Sequence, residues 1–333
     1  MGSILVPANP ALWAPPAPNV RTYAGSTLTT SAPYHPRDGA ALHKIAGRYV
    51  LWGGWWSGGT APWSPYGVTT NEIWSSLDRI TWTLDREHTE DPPLTGPNAI
   101  FSKRHTIMSG LFKGYGWVLG SDISDPADPV PKSDVWRSLD GRFGWQRVAA
   151  SCPWGPVYLG IFGVLGDYMH VMGGFRNNVA SKRHYRSRDG VNWERLSDMP
   201  FARAGVVQAV TLHGKLFIVG GASGHFNDRV YHNDVWAYCA AGWRQMSSGA
   251  PWPGRFYNGV AAYDDRLWST TGAGGANLEG CSSSQDYGQT WVEHTPPWGA
   301  SHADGITATE EDGITVATGN LQGQNVFSMK RAA

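Results

Sequence analysis

Arg37, Arg104, Arg203 and Arg255 are the residues of this 333-residue chain whose type and recurrence most invite a chemical reading. Each stands in a short segment leading into an apolar, strand-sized run, and Tyr158 and His302 hold the matching places before two further runs. A guanidinium presents a planar fork of donors that fits carboxylates and polyhydroxylated groups. Four of them and a histidine around one opening would favour a ligand of that kind. The alternative for the same residues is that they tie neighbouring loops together through backbone carbonyls. A second set is aromatic. Trp55, Trp56, Trp63 and Tyr66 lie in "WWSGGTAPWSPYG", and His225, Phe226 and Tyr231 in "ASGHFNDRVYH". Exposed rings of this sort are surfaces on which sugars stack or a protein partner packs, unless they simply cover the core.

Enzymatic signatures are missing from the sequence. It has no Gly-x-Ser-x-Gly elbow, no His-Glu-x-x-His pair, no P-loop and no Rossmann glycine fingerprint. "DISDPADP" (122–129) has three aspartates but not the Gly and Glu of a calcium loop, and reads as a solvated acidic loop. Cys152, Cys239 and Cys281 share no metal-ligand spacing and form no disulfide framework. No catalytic residue, metal ligand or cofactor is assigned. With 27 basic and 27 acidic residues and no long run of either sign, electrostatic binding to nucleic acid or an anionic membrane is not expected. No stretch approaches 18 consecutive apolar residues, so no membrane insertion is expected either. The first 20 residues lack the basic and long apolar regions of a secretory signal, which suggests cytoplasmic synthesis.

The elements that carry these residues repeat. "NEIWSSLDRITW", "SDVWRSLDGRFGW", "KRHYRSRDGVNW", "NDVWAYCAAGW" and "LEGCSSSQDYGQTW" each place a turn before a tryptophan. Those tryptophans (Trp82, Trp145, Trp193, Trp243 and Trp291) are 63, 48, 50 and 48 residues apart. In phase with them run apolar segments ending in Gly-Gly or a variant: "YVLWGG", "GWVLGS", "MHVMGG", "LFIVGG", "LWSTTGAGG" and "ITVATGN". Eighteen tryptophans, 42 glycines and 16% charged residues, where about 25% is usual, point to an all-β chain. Each unit holds four strand-sized segments. Such units cannot bury both faces alone and stack radially as propeller blades. The expected fold is therefore all-β, a six-bladed β-propeller of four-stranded antiparallel blades. Six Gly marks against five tryptophans leave the last blade one strand short; the resemblance of these repeats to kelch- and sialidase-type propellers implies that an N-terminal strand within residues 11–30, which includes Trp13 and "VRTYAGS", supplies it. Residues 1–10 then remain as an arm, and 11–333 form one propeller.

The pattern of an apolar strand ending in Gly-Gly, a variable loop, an aromatic and a later tryptophan resembles the kelch-type propellers, over roughly residues 33–333. "SQDYGQTW" (284–291) is similar to the Asp-box of sialidase-like propellers, with looser copies at 76–82, 138–145 and 187–193. In that family the box is a structural turn away from the active site. The kelch resemblance implies a ligand face lined by Arg37, Arg104, Tyr158, Arg203, Arg255 and His302, with Trp55, Trp56, Trp63 and Tyr66 at its rim. It is also similar to propellers of phage tail and virion proteins. The function this implies is a non-catalytic module binding a glycan or cell-surface receptor, docked to other virion or tail proteins through the N-terminal arm. Its location would be the virion or the extracellular space. The alternatives are a glycan-active enzyme of sialidase, epimerase or lyase type, and a cytoplasmic protein–protein scaffold.

Overall fold

The computed structural model describes the chain except for residues 1–9, 57–67, 121–131, 207, 275–277, 279, 299–305, 311–312, 318–323 and 333. The described chain is almost entirely strand and turn. Blade 1 consists of Ala41–Ile45, Arg48–Trp52, Ile73–Ser76 and Trp82–Arg86, hydrogen-bonded antiparallel in that order. Blades 2, 3 and 5 repeat the plan from Met108–Phe112, Ile161–Leu165 and Gly259–Tyr263 respectively. The first strands of successive blades touch in a closed ring, with that of blade 6 (Ile306–Glu310) against that of blade 1. The architecture is the expected six-bladed propeller.

Close approach at the ring restricts side-chain size. A Cβ on Gly110 of blade 2 would stand 2.3 Å from the Phe162 ring of blade 3. Between neighbouring blades lie separate apolar cores, each built from two facing sheets. Trp52, Val50 and Ile73 of blade 1 meet Val118, Trp136 and Trp145 of blade 2. Ile161 and Met172 of blade 3 meet Leu216 and Ile218 of blade 4. The recurring tryptophans divide unequally: Trp82 and Trp145 are buried, whereas Trp193, Trp243 and Trp291 are half-buried. In the turns before four of them, a Ser and an Asp two residues later gather the backbone N–H groups. In blade 1 Asp78 accepts from Ile80 and Thr81 at 2.8 and 2.7 Å, while Ser76 Oγ accepts from Arg79 at 2.7 Å. Those backbone bonds hold the Asp78 carboxyl down at about 2.

Blade 4 departs from the plan. The sequence reads an inner strand over "AGVVQAVTLHG" that turns at His213-Gly214; among the described residues of that stretch only Val210–Leu212 is strand. Gln208 bridges in parallel to Phe162 of blade 3 instead of extending its own sheet. The next two strands, Lys215–His225 and Asp228–Cys239, are correspondingly long. Their tip pairs His225 with Asp228, so "ASGHFNDRVYH" is a raised hairpin rather than a loop.

Closure uses the N-terminal segment. Tyr23–Thr29 pairs antiparallel with Val326–Arg331 and completes blade 6 as its outermost strand. Trp13 lies outside that strand. It is 4% exposed, packs with Val210 and Leu212 of blade 4 and Leu267 of blade 5, and carries the Arg244 guanidinium 5.5 Å above its ring. From there the chain crosses blade 5, where Asn19 N–H donates to Gln285 Oε1 at 2.6 Å and Arg21 pairs with Asp264. The segment therefore ties three blades together. Residues 1–9 of the expected arm lie outside the described residues.

Candidate functional site: the channel mouth and its loop face

In an antiparallel four-stranded blade, the loop leading into the first strand and the loop between the second and third strands emerge at the same end. Those loops carry the arginines and the aromatic segments singled out above. The Ser-x-Asp turns lie at the opposite end. Each lead-in loop clips onto the Gly mark of the preceding blade: Gly54 N–H donates to Arg104 O, Gly174 to Arg203 O and Gly221 to Arg255 O, at 3.0, 2.8 and 2.7 Å. Gly54 has φ +101°, and a Cβ there would meet Asp38 O at 2.9 Å. The Gly marks thus allow loop and strand end to come together.

Three of the arginines are committed to the fold. Arg37, Arg104 and Arg203 are each 1% exposed. Arg37 Nη1 donates to Gly53 O at 3.1 Å and its Nη2 to Glu72 Oε2 at 2.7 Å. Arg104 donates to Gly120 O at 3.0 Å and grips both oxygens of Asp134 at 3.0 and 3.1 Å. Arg203 does the same with Gly220 O and Asp234, at 2.7, 2.7 and 2.9 Å. Each carboxylate also accepts an indole N–H two residues on, from Trp74, Trp136 or Trp236. Burial alone would raise these carboxyls, but the guanidinium and the indole hold all three below the usual range. The charge of these arginines is spent within their own blades. Arg255, 3% exposed, has the carbonyl contact, Nη1 to Thr271 O at 3.1 Å, without such a carboxylate among the described residues.

Tyr158 is not in register with the arginines. Its backbone bridge to Phe175 matches those of Asp38 to Trp55, Ala204 to Ala222 and Phe256 to Ala273. Each of those residues follows an arginine, so Val157 holds the arginine position in blade 3. Tyr158 is 3% exposed, stacks on Phe175 and donates its hydroxyl to Asn178 Oδ1 at 2.5 Å. It supports the raised loops rather than lining the mouth. His302, Trp63 and Tyr66 lie outside the described residues.

The residues that do meet at the channel mouth include several that sequence reasoning missed. Asp38 of blade 1 and His105 of blade 2 approach to 2.6 Å, with side chains 7% exposed. The His105 ring lies parallel to Tyr257 of blade 5, centroids 6.3 Å apart, and 6.1 Å from Trp55. Blades 2 and 5 face each other in a six-membered ring, so His105 and Tyr257 meet across the channel. Thr106, Leu159 and Tyr257 occupy the left-handed region at φ 52, 53 and 54°, where blades 1 and 4 have Gly39 and Gly205. Backbone bonds join these points from blade to blade: Ile107 to Gly39 O, Gly205 to Leu159 O and Tyr257 to Gly205 O. A left-handed non-glycine residue is costly and persists only where surroundings enforce it. The recurrence two residues after each lead-in position was the signal available in the sequence, where "RDG" and "RAG" stand beside "RHT" and "RFY".

Around this floor stand half-buried rings. Trp56 stacks on His35 at 4.0 Å with 7° between planes. Tyr231 stacks on Phe256 at 5.4 Å, and the Arg229 guanidinium lies 4.6 Å above Phe256 and 4.7 Å above Phe226. Phe226 N–H donates to Asn178 O at 2.7 Å, so the blade 4 hairpin leans on the blade 3 loop as a wall beside the mouth. The face thus offers flat apolar surfaces next to fixed polar groups. The buried thiols offer nothing comparable: burial pushes Cys152 and Cys281 up to about 12.

The solved structure of YjhT superposes on this chain with a TM-score of 0.61, covering 79% of this chain and 85% of that one at 14% identity. Likeness at that identity establishes the shared propeller fold. No protein-family model matches the sequence, and no curated protein matches it.

Proposed function

We propose that the protein is a non-catalytic binding module that recognises a glycan, or a glycosylated cell-surface receptor, on its loop face. The observation that carries this reading is the set of half-buried rings, Trp55, Trp56 and Tyr257, beside the Asp38–His105 pair. A sugar presents both an apolar C–H face and a rim of hydroxyls, and this surface offers a counterpart to each. The kelch-like and Asp-box-like features of the sequence support a propeller of the ligand-binding kind, and the similarity to tail and virion propellers supports a virion setting, with residues 1–10 as the docking arm. Binding of the chain to a panel of immobilised glycans tests the reading, with displacement by free sugar as the control. Retention of a defined subset is expected; uniform absence of binding to glycans and to intact cells would overturn it.

The Asp38–His105 pair favours a second reading, a glycan-active enzyme of sialidase, epimerase or lyase type. The carboxylate and the imidazole stand 2.6 Å apart without hydrogen-bond alignment, a separation across which a proton passes once a ligand brings the two into line. Following retained glycans by NMR for released sugar or anomeric exchange separates the two readings. Turnover that disappears in His105→Gln would establish the enzyme.

A further inference from the structure

Blade 5 breaks the pairing rule that blades 1, 2 and 4 obey. Thr271 N–H donates to Gly280 O at 3.2 Å, as Gly53 does to Glu72 O and Gly120 to Asp134 O at 3.1 and 3.2 Å. The next pairs agree: Thr270 faces Cys281 as Trp52 faces Ile73 and Leu119 faces Val135. Gly280 therefore stands where the other blades carry the carboxylate, and Ser282 stands where they carry the indole that donates to it. Blade 3 has lost both members together, with Val157 for the arginine and Arg183 for the acid. Blade 5 alone, among these five, keeps the guanidinium and lacks the acid.

Arg255 is held as its sisters are, by Nη1 on Thr271 O and by the Trp252 ring 5.5 Å beneath it. Its Nε, like that of Arg203, has no acceptor. With no counter-charge beside it among the described residues, burial pushes this guanidinium down to about 10. A Cβ built on Gly280 would meet only Arg255 Nη1, at 3.7 Å, among described atoms within 4 Å. The corresponding carboxylates in blades 1, 2 and 4 have side chains 16, 14 and 12% exposed, so that position communicates with solvent. A buried, pre-positioned cation beside a position that blades 1, 2 and 4 fill with a carboxylate is an unfinished ion pair.

We propose that Arg255 completes its ion pair with the carboxylate of an acidic sugar, which enters the space left by Gly280 and Ser282 beside Tyr257. This rests on the reading of the loop face as a glycan-binding surface and names the chemical class bound there. Arg37, Arg104 and Arg203 take no part, because each already has a carboxylate of its own blade as counter-ion. Specificity for acidic over neutral glycans follows from one residue.

The test uses the full chain with ¹⁵N-labelled arginine, titrated with sodium acetate against acetamide and against chloride at matched ionic strength. Acetate should move one guanidinium resonance saturably, acetamide and chloride should not, and that resonance should be missing from Arg255→Gln. A response that persists in Arg255→Gln, or is equal with chloride, would overturn the assignment. On the glycan panel, Arg255→Gln should lose at least tenfold in affinity for acidic glycans and keep any neutral ones. An unchanged profile would overturn the Arg255 assignment while leaving glycan recognition standing. An acetate response without any glycan binding would support the anchor and sink the wider reading. Glu279→Gln serves as the internal check, since that residue precedes Gly280 in the chain. If it lowers the melting temperature as much as Asp234→Asn does, Arg255 is paired within the chain and the proposal fails.

Discussion

Replacing Arg203 by Met tests whether the loop arginines are structural, and the size of the effect follows from the contacts. The substitution keeps much of the aliphatic bulk and removes the donors to Gly220 O and to both oxygens of Asp234. Asp234 remains with a side chain 12% exposed and a single indole donor, Trp236, at 2.8 Å. Stranding one partner of a buried pair costs ~3–5 kcal/mol. For a domain of this size that corresponds to a fall in melting temperature on the order of 10 °C. The cost should depend on pH. In the native protein Asp234 titrates below its ordinary 3.8, so its contribution is present above that value and is lost below it. Without Arg203, burial dominates and raises the carboxyl above its unfolded value, so stability is lost as pH rises. The gap between variant and wild type should therefore widen from pH 4 to pH 7. Arg203→Met with Asp234→Leu should recover most of the loss, since neither charge is then left alone. Calorimetric melts of the three proteins at both pH values decide it. A single variant within a degree of wild type, or a double variant no better than the single, would refute the structural assignment.

Three further outcomes follow. Burial lowers His43 and His170 to about 4 and His184 to about 3, from 6.5; neutral imidazoles then stabilise the fold above pH 6.5, and that stabilisation should drain away as pH falls from 6.5 to about 4, so a urea midpoint that is flat over this window would contradict the burial of these rings. Removing residues 1–30 should give an aggregating protein, because it exposes the Val326–Arg331 edge and the Trp13 contacts, whereas removing 1–9 should leave a cooperative melt; a soluble, cooperative 31–333 fragment would refute the closure. Asp286→Ala, which deprives Ser284 Oγ and Thr290 N–H of their acceptor at 2.8 Å, should cost ~1–2 kcal/mol and leave ligand binding intact, and lost binding with an unchanged melt would place that turn in the site.

The all-β class and the blade number were legible because their causes are local and repeated, and the N-terminal closure because the count of repeats leaves the last blade one strand short. Gly-Gly at a strand end and a tryptophan after a turn recur at nearly one spacing, and each is required by backbone geometry within a single blade. The role of the arginines was less accessible, since it depends on partners about 30 residues away. The clue was present: Glu72, Asp134 and Asp234 stand two residues before Trp74, Trp136 and Trp236 only in units that also have the arginine and the tryptophan. Tyr158 stands one residue out of register with the arginines, which the sequence hides because the lead-in loops vary in length and only backbone bridges fix the alignment. His105 and Tyr257 could not be paired from sequence, because their contact spans the channel between blades that share no neighbouring strand. The blade 4 hairpin reads as a loop in the sequence, since its polar, glycine-bearing stretch lacks apolar alternation; pairing across its tip and support from Asn178 extend the strands.

Glycan binding measured side by side for the wild type and for Trp55→Ala combined with Tyr257→Asn bears most directly on the central claim. Asn tolerates the left-handed backbone that Tyr257 adopts at φ 54°. Loss of two stacking surfaces at ~1–1.5 kcal/mol each should weaken binding about thirty- to 150-fold, with the melting temperature held within a few degrees. A double variant that binds the same glycans as tightly as wild type would show that the channel mouth is not the recognition surface.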